Sequence, residues 1–224
     1  CGKYRVLFIQ VKSSIISAVT GNDSNGGTIM RTTAIFDEQK AANAAAYFLF
    51  RSGGPMEMEV LKLMKLLYLA ERRSFELYGE PLIGDRLVSM PHGPVLSLTY
   101  NHMNGELDSV PGGWDDWIGG RFDHMLGLCA GREIRSPEQD LLALSELDLE
   151  ILDAVWRDFG HMSAFELRDY THRYCPEWRD PRGAMIPMTY GDLFQALEFS
   201  QERAQEALAL LEERGAVAQA FEQV

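Results

Sequence analysis

Five histidines are the residues of this 224-residue sequence best suited to acid–base or metal chemistry: His92, His102, His124, His161 and His172. None of them lies in a GxSxG or HExxH motif, and the sequence has no GxxxxGK[ST] or GxGxxG loop for binding phosphate groups. A hydrolase that uses His172 stays an alternative, but no motif supports it. We therefore expect no catalytic residues and no cofactor.

A zinc site is conceivable around His172 and Cys175, which are three residues apart and would share one face of a helix. His161 could approach from the preceding turn. Pro176 ends the helix directly after Cys175, however, and no fourth ligand is obvious. The three cysteines of the chain are widely spaced and form no CxxC pair, so we expect free thiols and no metal site.

The charge of the chain limits the classes of partner. Its formal net charge is -12 and its sequence pI is about 4.9, whereas binding to phosphate groups needs concentrated Lys and Arg. No apolar run approaches the roughly 20 residues that span a bilayer. We expect a cytoplasmic protein that binds neither a membrane nor nucleic acid.

A DNA-binding regulator, one that controls its own operon, is the competing function. The short helix predicted after Ser163 could act as a recognition helix, and it carries Arg168, His172 and Arg173. Acidic residues alternate with these basic ones, whereas a helix that faces phosphate groups usually carries one sign of charge. The sequence therefore favours a protein partner.

Residues 1–29 differ from the rest of the chain, because they carry three basic residues and one acidic residue and end in a turn-rich GNDSNGG segment. The chain begins with Cys1 rather than Met, and Met30 opens the first clearly patterned segment. We predict a flexible N-terminal extension or an upstream translated leader over 1–29, and one domain over 30–224.

Two helices are predicted before residue 80. The Ala-rich segment Asp37–Arg51 is a strong helix former and is followed by Gly53, a typical residue at a helix end. The segment MEMEVLKLMKLLYLAERRSFELYGE predicts one long central helix with acidic residues in its first turn and Gly79 just after its end.

A rigid turn is predicted in SMPHGPVLSLTY, residues 89–100. The preceding PLIGDRLVSM segment predicts a small hairpin, and Pro94 suits the first residue of a helix that continues to Met103. The turn would then set the entry angle of this helix and hold His92 in an extended conformation.

Three helix starts are predicted near the C-terminus, at the N-cap residues Ser145, Ser163 and Thr189, each with an acidic residue three positions later. The last helix would run from Tyr190 to Arg214 and end at Gly215. The predicted fold is mainly α, a compact bundle of about six helices with one small β hairpin.

Two long segments resemble the Panacea, or SocA-like, antitoxin domain: KLMKLLYLAERRSFELYGEPLIGDRLVSMPHGPVLSLTY and LSELDLEILDAVWRDFGHMSAFELRDYTHRYCPEW. Members of that family carry a K-L-x-K-L-L-Y-x-A helix, a Y-G-x-P-L turn, a G-P-V corner, and later a T-H pair followed by P-x-W. The resemblance covers roughly Phe36 to Leu197. It implies a helical domain that neutralises a toxin encoded beside it, usually by direct contact and, in the SocA branch, as an adaptor for a cytosolic protease.

The matching motif positions supply the candidate site residues. Gly93, Pro94, Val95 and Thr171 are expected to serve the geometry of the corner. The candidates for partner binding are aromatic or amphipathic, as binding hot spots usually are: Tyr68, His92, His172 and Trp178. The expected partner is the cognate toxin, and the long last helix leaves an oligomer open.

Overall fold

A computed structural model of the chain describes residues 35–53 and 57–222. The elements, in chain order, are α1 (Glu38–Ser52), β1 (Glu57–Glu59), α2 (Val60–Tyr78), β2 (Leu87–Met90), β3 (Gly93–Leu96), α3 (Ser97–Met103), α4 (Trp114–Trp117), β4 (Met125–Gly127), α5 (Pro137–Asp140), α6 (Glu146–Phe159), α7 (Ala164–Tyr174), β5 (Ile186–Pro187), α8 (Tyr190–Ala196) and α9 (Gln201–Glu222). The extension predicted for residues 1–29 lies outside the described residues.

The mainly α fold is confirmed. The described residues form nine helices, of which five have eleven or more residues, rather than about six. They also form two small antiparallel sheets instead of one hairpin, a two-stranded β1-β4 sheet and a three-stranded β3-β2-β5 sheet. The extra helices are short ones of four or seven residues in segments that connect the longer elements.

Helix α2 is the centre of the core and packs against α1, α6, α7 and β3. The prediction that it begins with acidic residues is wrong. Glu57 and Glu59 are exposed and flank the buried Met58, so this segment alternates as a strand and pairs with β4. Val60 then opens the helix, and its N–H donates to the His124 carbonyl at 2.8 Å.

The predicted N-caps Ser145, Ser163 and Thr189 and the predicted helix end at Gly53 are confirmed. Asp37 accepts a hydrogen bond from the N–H of Lys40 at 2.9 Å, and Gly53 follows α1 with a φ of 67°. Ser145, Ser163 and Thr189 each form both bonds of a capping box, although two of these boxes use Asp instead of Glu. The starts of α6, α7 and α8 are therefore set by local side-chain bonds.

The prediction of a single long C-terminal helix is wrong, because the chain forms α8 and α9 with a turn between them. Glu198 has a φ of 56° in this turn, and the N–H of Phe199 donates to the Phe194 carbonyl at 3.0 Å, which closes the end of α8. Gly215 does not end α9, since the alanines after it are strong helix formers.

The hairpin lies later in the chain than predicted. It joins β2 to β3 through Pro91 and His92, with Ser89 opposite Pro94 and Met90 opposite Gly93. Pro94 and Val95 therefore lie in a strand, and the helix begins only at Ser97.

Pro94 fits the strand because of its place in the ladder. The Ser97 N–H donates to the Arg86 carbonyl at 2.9 Å, and hydrogen-bonded pairs alternate in an antiparallel ladder. The pair of Ser89 and Pro94 is consequently a non-hydrogen-bonded one. The missing N–H of Pro94 breaks no bond to β2.

Candidate functional site at the hairpin

The motif residues of the sequence meet around the β2–β3 hairpin. Helix α2 packs on β3, α7 packs on both α2 and β3, and the segment after α7 returns to β2. The side chains that make these contacts are mostly polar, although the site lies at the edge of the apolar core.

Gly93 is the point of closest approach. It has a φ of 101°, and a Cβ added there would lie 2.8 Å from Thr171 Oγ1 and 3.0 Å from Lys65 Nζ. Both the backbone conformation and the available space therefore require glycine. Thr171 is fully buried, and its hydroxyl donates to the Arg168 carbonyl at 2.9 Å.

Lys65 is fully buried, at 0% exposure, and its Nζ donates to the Pro94 carbonyl at 2.6 Å. Burial lowers the pKa of Lys65 to about 7, an effect that the nearby Cys175 partly opposes. This amine thus ties the centre of α2 to the outer edge of β3.

The Cys175 thiol is also buried, and burial together with Glu177 raises its pKa to about 12. A thiol with so high a pKa stays protonated at neutral pH, and such a thiol is a poor metal ligand or nucleophile. Within residues 35–53 and 57–222, no group of three or more His, Cys, Asp or Glu side chains could hold a metal ion.

Glu177 is buried and connects the end of α7 to α2. Its Oε1 accepts hydrogen bonds from the Tyr68 hydroxyl at 2.6 Å and from Arg72 Nε at 2.8 Å. Burial and the neighbouring Glu177 carboxylate raise the pKa of Tyr68 well above its ordinary value. Tyr68 is 0% exposed, so its position does not fit the predicted direct contact with a partner.

His172 and Trp178 form a stacked pair, with ring centroids 3.9 Å apart and an interplanar angle of 7°. Trp178 Nε1 donates to the Met90 carbonyl at 3.0 Å, which fixes the pair against the hairpin. Burial and the nearby cations Lys65 and Arg168 lower the pKa of His172, so the imidazole is neutral at neutral pH.

His92 lies at the exposed tip of the hairpin, close enough to the partly exposed His172 to contribute to the lowered pKa of that imidazole. We call the surface formed by His92, His172 and Trp178 the hairpin face. Three of the four predicted partner-binding residues thus lie together at one end of the sheet. Their role in binding stays a prediction.

The comparison with family models matches residues 63–179 to the family described as antitoxin SocA-like, Panacea domain. This match covers more than half of the 224 residues. The chain belongs to the SocA-like Panacea family. The comparisons with curated proteins and with solved structures give no match.

Membership of the Panacea family supports an antitoxin-type role, suggests a non-catalytic one, and implies a toxin partner in general. The matched range includes the whole hairpin face and the buried residues beneath it. It is narrower than the predicted resemblance from Phe36 to Leu197, since α1, β1, β5 and α8 lie outside it.

Sequence reasoning on the Panacea motifs missed two buried groups, Lys65 and Glu177, and the partly buried Arg72. Lys65 was matched only as a motif position, and the ion pair of Arg72 with Glu177 was not expected at all. The available signal was the position of Lys65 between apolar residues on both sides, in KLMKLLYLA. A lysine surrounded in this way faces the core of a central helix, where it needs a hydrogen-bond acceptor.

The basic residues of α7 do not form a continuous cationic face in the Panacea domain. Arg168 pairs with Asp169 at 2.6 Å, and the guanidinium of Arg173 lies over the Tyr174 ring. Among the described residues, no helix combines the length and apolarity needed to cross a membrane.

Proposed function

We propose that this protein is a cytoplasmic antitoxin that neutralises its cognate toxin by binding it directly at the hairpin face. Membership of the Panacea family supports the antitoxin role. The observation that carries the location is the convergence of the motif residues on one hairpin, with His92, His172 and Trp178 at its surface.

The hairpin face has the physical properties of a binding surface. Aromatic side chains dominate binding hot spots, and the stacked His172 and Trp178 are already held in place by the bond to Met90. A surface that is ordered before binding loses less entropy when the partner binds. An interface of about 800 Å² on each partner is a standard size for a specific complex.

The net charge of -12 contributes mainly to the rate of encounter, because long-range attraction speeds association with a basic partner. In this proposal the protein masks a surface of the toxin and catalyses no reaction. A cytosolic protease would act only after the complex has formed.

Growth provides the first test. The product of the adjacent reading frame should arrest cells when expressed alone, and co-expression of this protein should restore growth. Purified protein should then inhibit the purified toxin without any protease. A harmless neighbour, or a toxin that stays lethal while this protein is abundant and folded, would contradict the proposal. Retardation of promoter DNA at low salt would support the regulator instead.

Point variants test the location. His92→Ala should weaken toxin binding about tenfold or more and leave the melting temperature unchanged, because His92 is exposed and hot-spot side chains contribute this much. His161→Ala is the matched control, since it removes an exposed histidine at the turn before α7. Equal affinity of the two variants would place the toxin on another surface.

A further inference from the structure

The edge of β2 opposite β3 is covered by a short segment, residues 180–187, which we call the strap. Its strand β5 pairs with β2 at only two positions, Val88 with Pro187 and Ser89 with Ile186. One further backbone bond follows, from the Met188 N–H to the Leu87 carbonyl at 2.9 Å. This ladder is shorter than the four-residue ladder between β2 and β3.

The side chains of the strap add little to the core. Met185 is 51% exposed and Ile186 is 40% exposed, and Pro187 is exposed as well. Pro181, near the start of the strap, is buried, but every residue from Arg182 to Pro187 is exposed, and the next buried side chain is that of Met188. Removal of the strap from β2 would therefore uncover backbone groups of the sheet but few apolar contacts.

The strap also contains a strained bend. Arg182 has a φ of 52°, a left-handed conformation that is unfavourable for a residue with a side chain, and Gly183 follows with a φ of 89°.

Both ends of the strap are held by bonds that do not depend on its ladder. The Arg179 N–H donates to Ser89 Oγ at 3.2 Å, and Thr189 caps α8. Residues 180–187, together with the N–H of Met188, could thus leave β2 while Arg179 and α8 keep their positions.

We propose that the toxin inserts an extended segment that pairs with β2 in place of the strap. This inference rests on the proposed function and names the contact that the toxin makes beside the hairpin face. An exposed strand edge binds extended peptides through main-chain hydrogen bonds. Addition of a strand outside β5 is unfavourable, because β5 has two residues and Pro187 lacks an N–H on its outer side.

The register defines the chemistry of the inserted segment. Met188 bonds to Leu87, and hydrogen-bonded pairs alternate, so the backbone groups of Leu87 and Ser89 face the strap. The toxin segment must offer an N–H and a carbonyl opposite both residues and has no proline there. Trp178 bonds to Met90, the last residue of the same strand, so the new strand continues directly from the hairpin face.

A reversible disulfide between β2 and the strap, which we call the strap clamp, tests whether the toxin segment replaces the strap, a step we call the exchange. Val88 and Pro187 lie directly opposite each other in a non-hydrogen-bonded pair, and such pairs have Cα atoms about 4.5 Å apart, a separation within the range of a disulfide. The variant Val88→Cys/Pro187→Cys keeps the bond from Arg179 to Ser89 and should bind toxin normally when reduced. When oxidised, the variant should bind toxin at least about tenfold more weakly, because the disulfide prevents the conformation in which the strap has left β2.

The matched control is Glu59→Cys/Met125→Cys, which clamps the directly opposite residues of β1 and β4. Oxidation of this variant should leave the affinity unchanged. Equal affinity of the oxidised and reduced strap clamp would overturn the exchange while leaving the proposed function intact. Loss of binding on oxidation of both clamps would also overturn it. Failure of the reduced and wild-type proteins to bind toxin would remove the proposed function as well.

Amide hydrogen exchange on the wild-type protein gives a second measurement that needs no variant. In the complex, the Met188 N–H should lose protection because its bond to Leu87 breaks. The Ser97 N–H, which bonds to Arg86 on the β3 side, should stay protected. Increased protection of Met188 on toxin binding would overturn the exchange.

Discussion

Replacing Lys65 by Met should change how the stability of the protein depends on pH. The Lys65 side chain is fully buried, and its Nζ has the Pro94 carbonyl as acceptor at 2.6 Å. Burial lowers its pKa from 10.5 to about 7 in the folded protein, whereas the unfolded chain exposes this amine to water. The two states therefore bind different numbers of protons over a wide pH range.

The sign and size of the effect follow from this difference. Below about pH 7 both states carry the proton, and above pH 10.5 neither does. Between these values the unfolded chain binds the proton and the folded protein does not, so the stability rises with pH. At about 1.4 kcal/mol per pH unit, lowering the pKa of Lys65 from 10.5 to about 7 corresponds to about 5 kcal/mol in total.

The assay is urea unfolding of the wild-type protein and of Lys65→Met at several pH values between about 6.5 and 9.5. The difference in free energy of unfolding, wild type minus variant, should rise by about 3 kcal/mol over this interval. The variant also leaves the Pro94 carbonyl without its donor, but this effect does not depend on pH. Cys175 does not disturb the comparison, since its pKa of about 12 keeps the folded-state thiol protonated in both proteins.

Lys62→Met is the matched control. Lys62 lies one turn earlier on α2, and its Nζ also donates to a backbone carbonyl, that of Gly160 at 2.7 Å. It is only partly buried, and burial lowers its pKa less than that of Lys65, so a smaller rise is expected. A difference curve for Lys65→Met that is flat, or that falls with pH, would show that folded Lys65 keeps its proton and would refute the reasoning.

Two further substitutions test the packing beneath the hairpin. Gly93→Ala should lower the free energy of unfolding by about 2 kcal/mol or more, because it adds a contact with Thr171 to an unfavourable backbone conformation. Gly131 has a similar φ of 83° but open space around it, so Gly131→Ala should lower the free energy of unfolding by only about 1 kcal/mol. Urea unfolding measures both variants, and an equal loss of stability in the two would contradict this account. Tyr68→Phe should lower the free energy of unfolding by about 1–3 kcal/mol, because Glu177 loses a buried hydrogen-bond donor. The affinity of the folded variant for the toxin should not change. A variant that keeps full stability but binds the toxin more weakly would show that Tyr68 contacts the toxin.

Local signals were sufficient for the starts of α1, α6, α7 and α8. Asp37, Ser163 and Thr189 bond to backbone groups within three residues, so the sequence around each one contains the whole interaction. Pro94 shows the opposite case. It suits the first position of a helix and also a non-hydrogen-bonded strand position, and only the pairing with Ser89 decides between them.

The same distinction applies to the candidate site. The aromatic character of His172 and Trp178 was visible in the sequence, and the structure brings them together with His92. The interior under them could not be predicted, because Glu177 meets Tyr68 across 109 residues of chain. Gly215 shows that a glycine after a helical pattern does not end the helix when strong helix formers follow it.

The two edges of the three-stranded sheet are protected by different means, and this difference explains why one of them suits a partner. β3 lies at one edge, where the Pro94 carbonyl bonds to the buried Lys65 and Pro94 has no N–H to offer. That edge is closed by α2 and cannot accept another strand without exposing a buried amine. At the other edge β5 covers β2 through two residue pairs and mostly exposed side chains. An incoming strand therefore disturbs far less of the core on the β5 side, next to Trp178, where the strap can leave and the hairpin keeps its position.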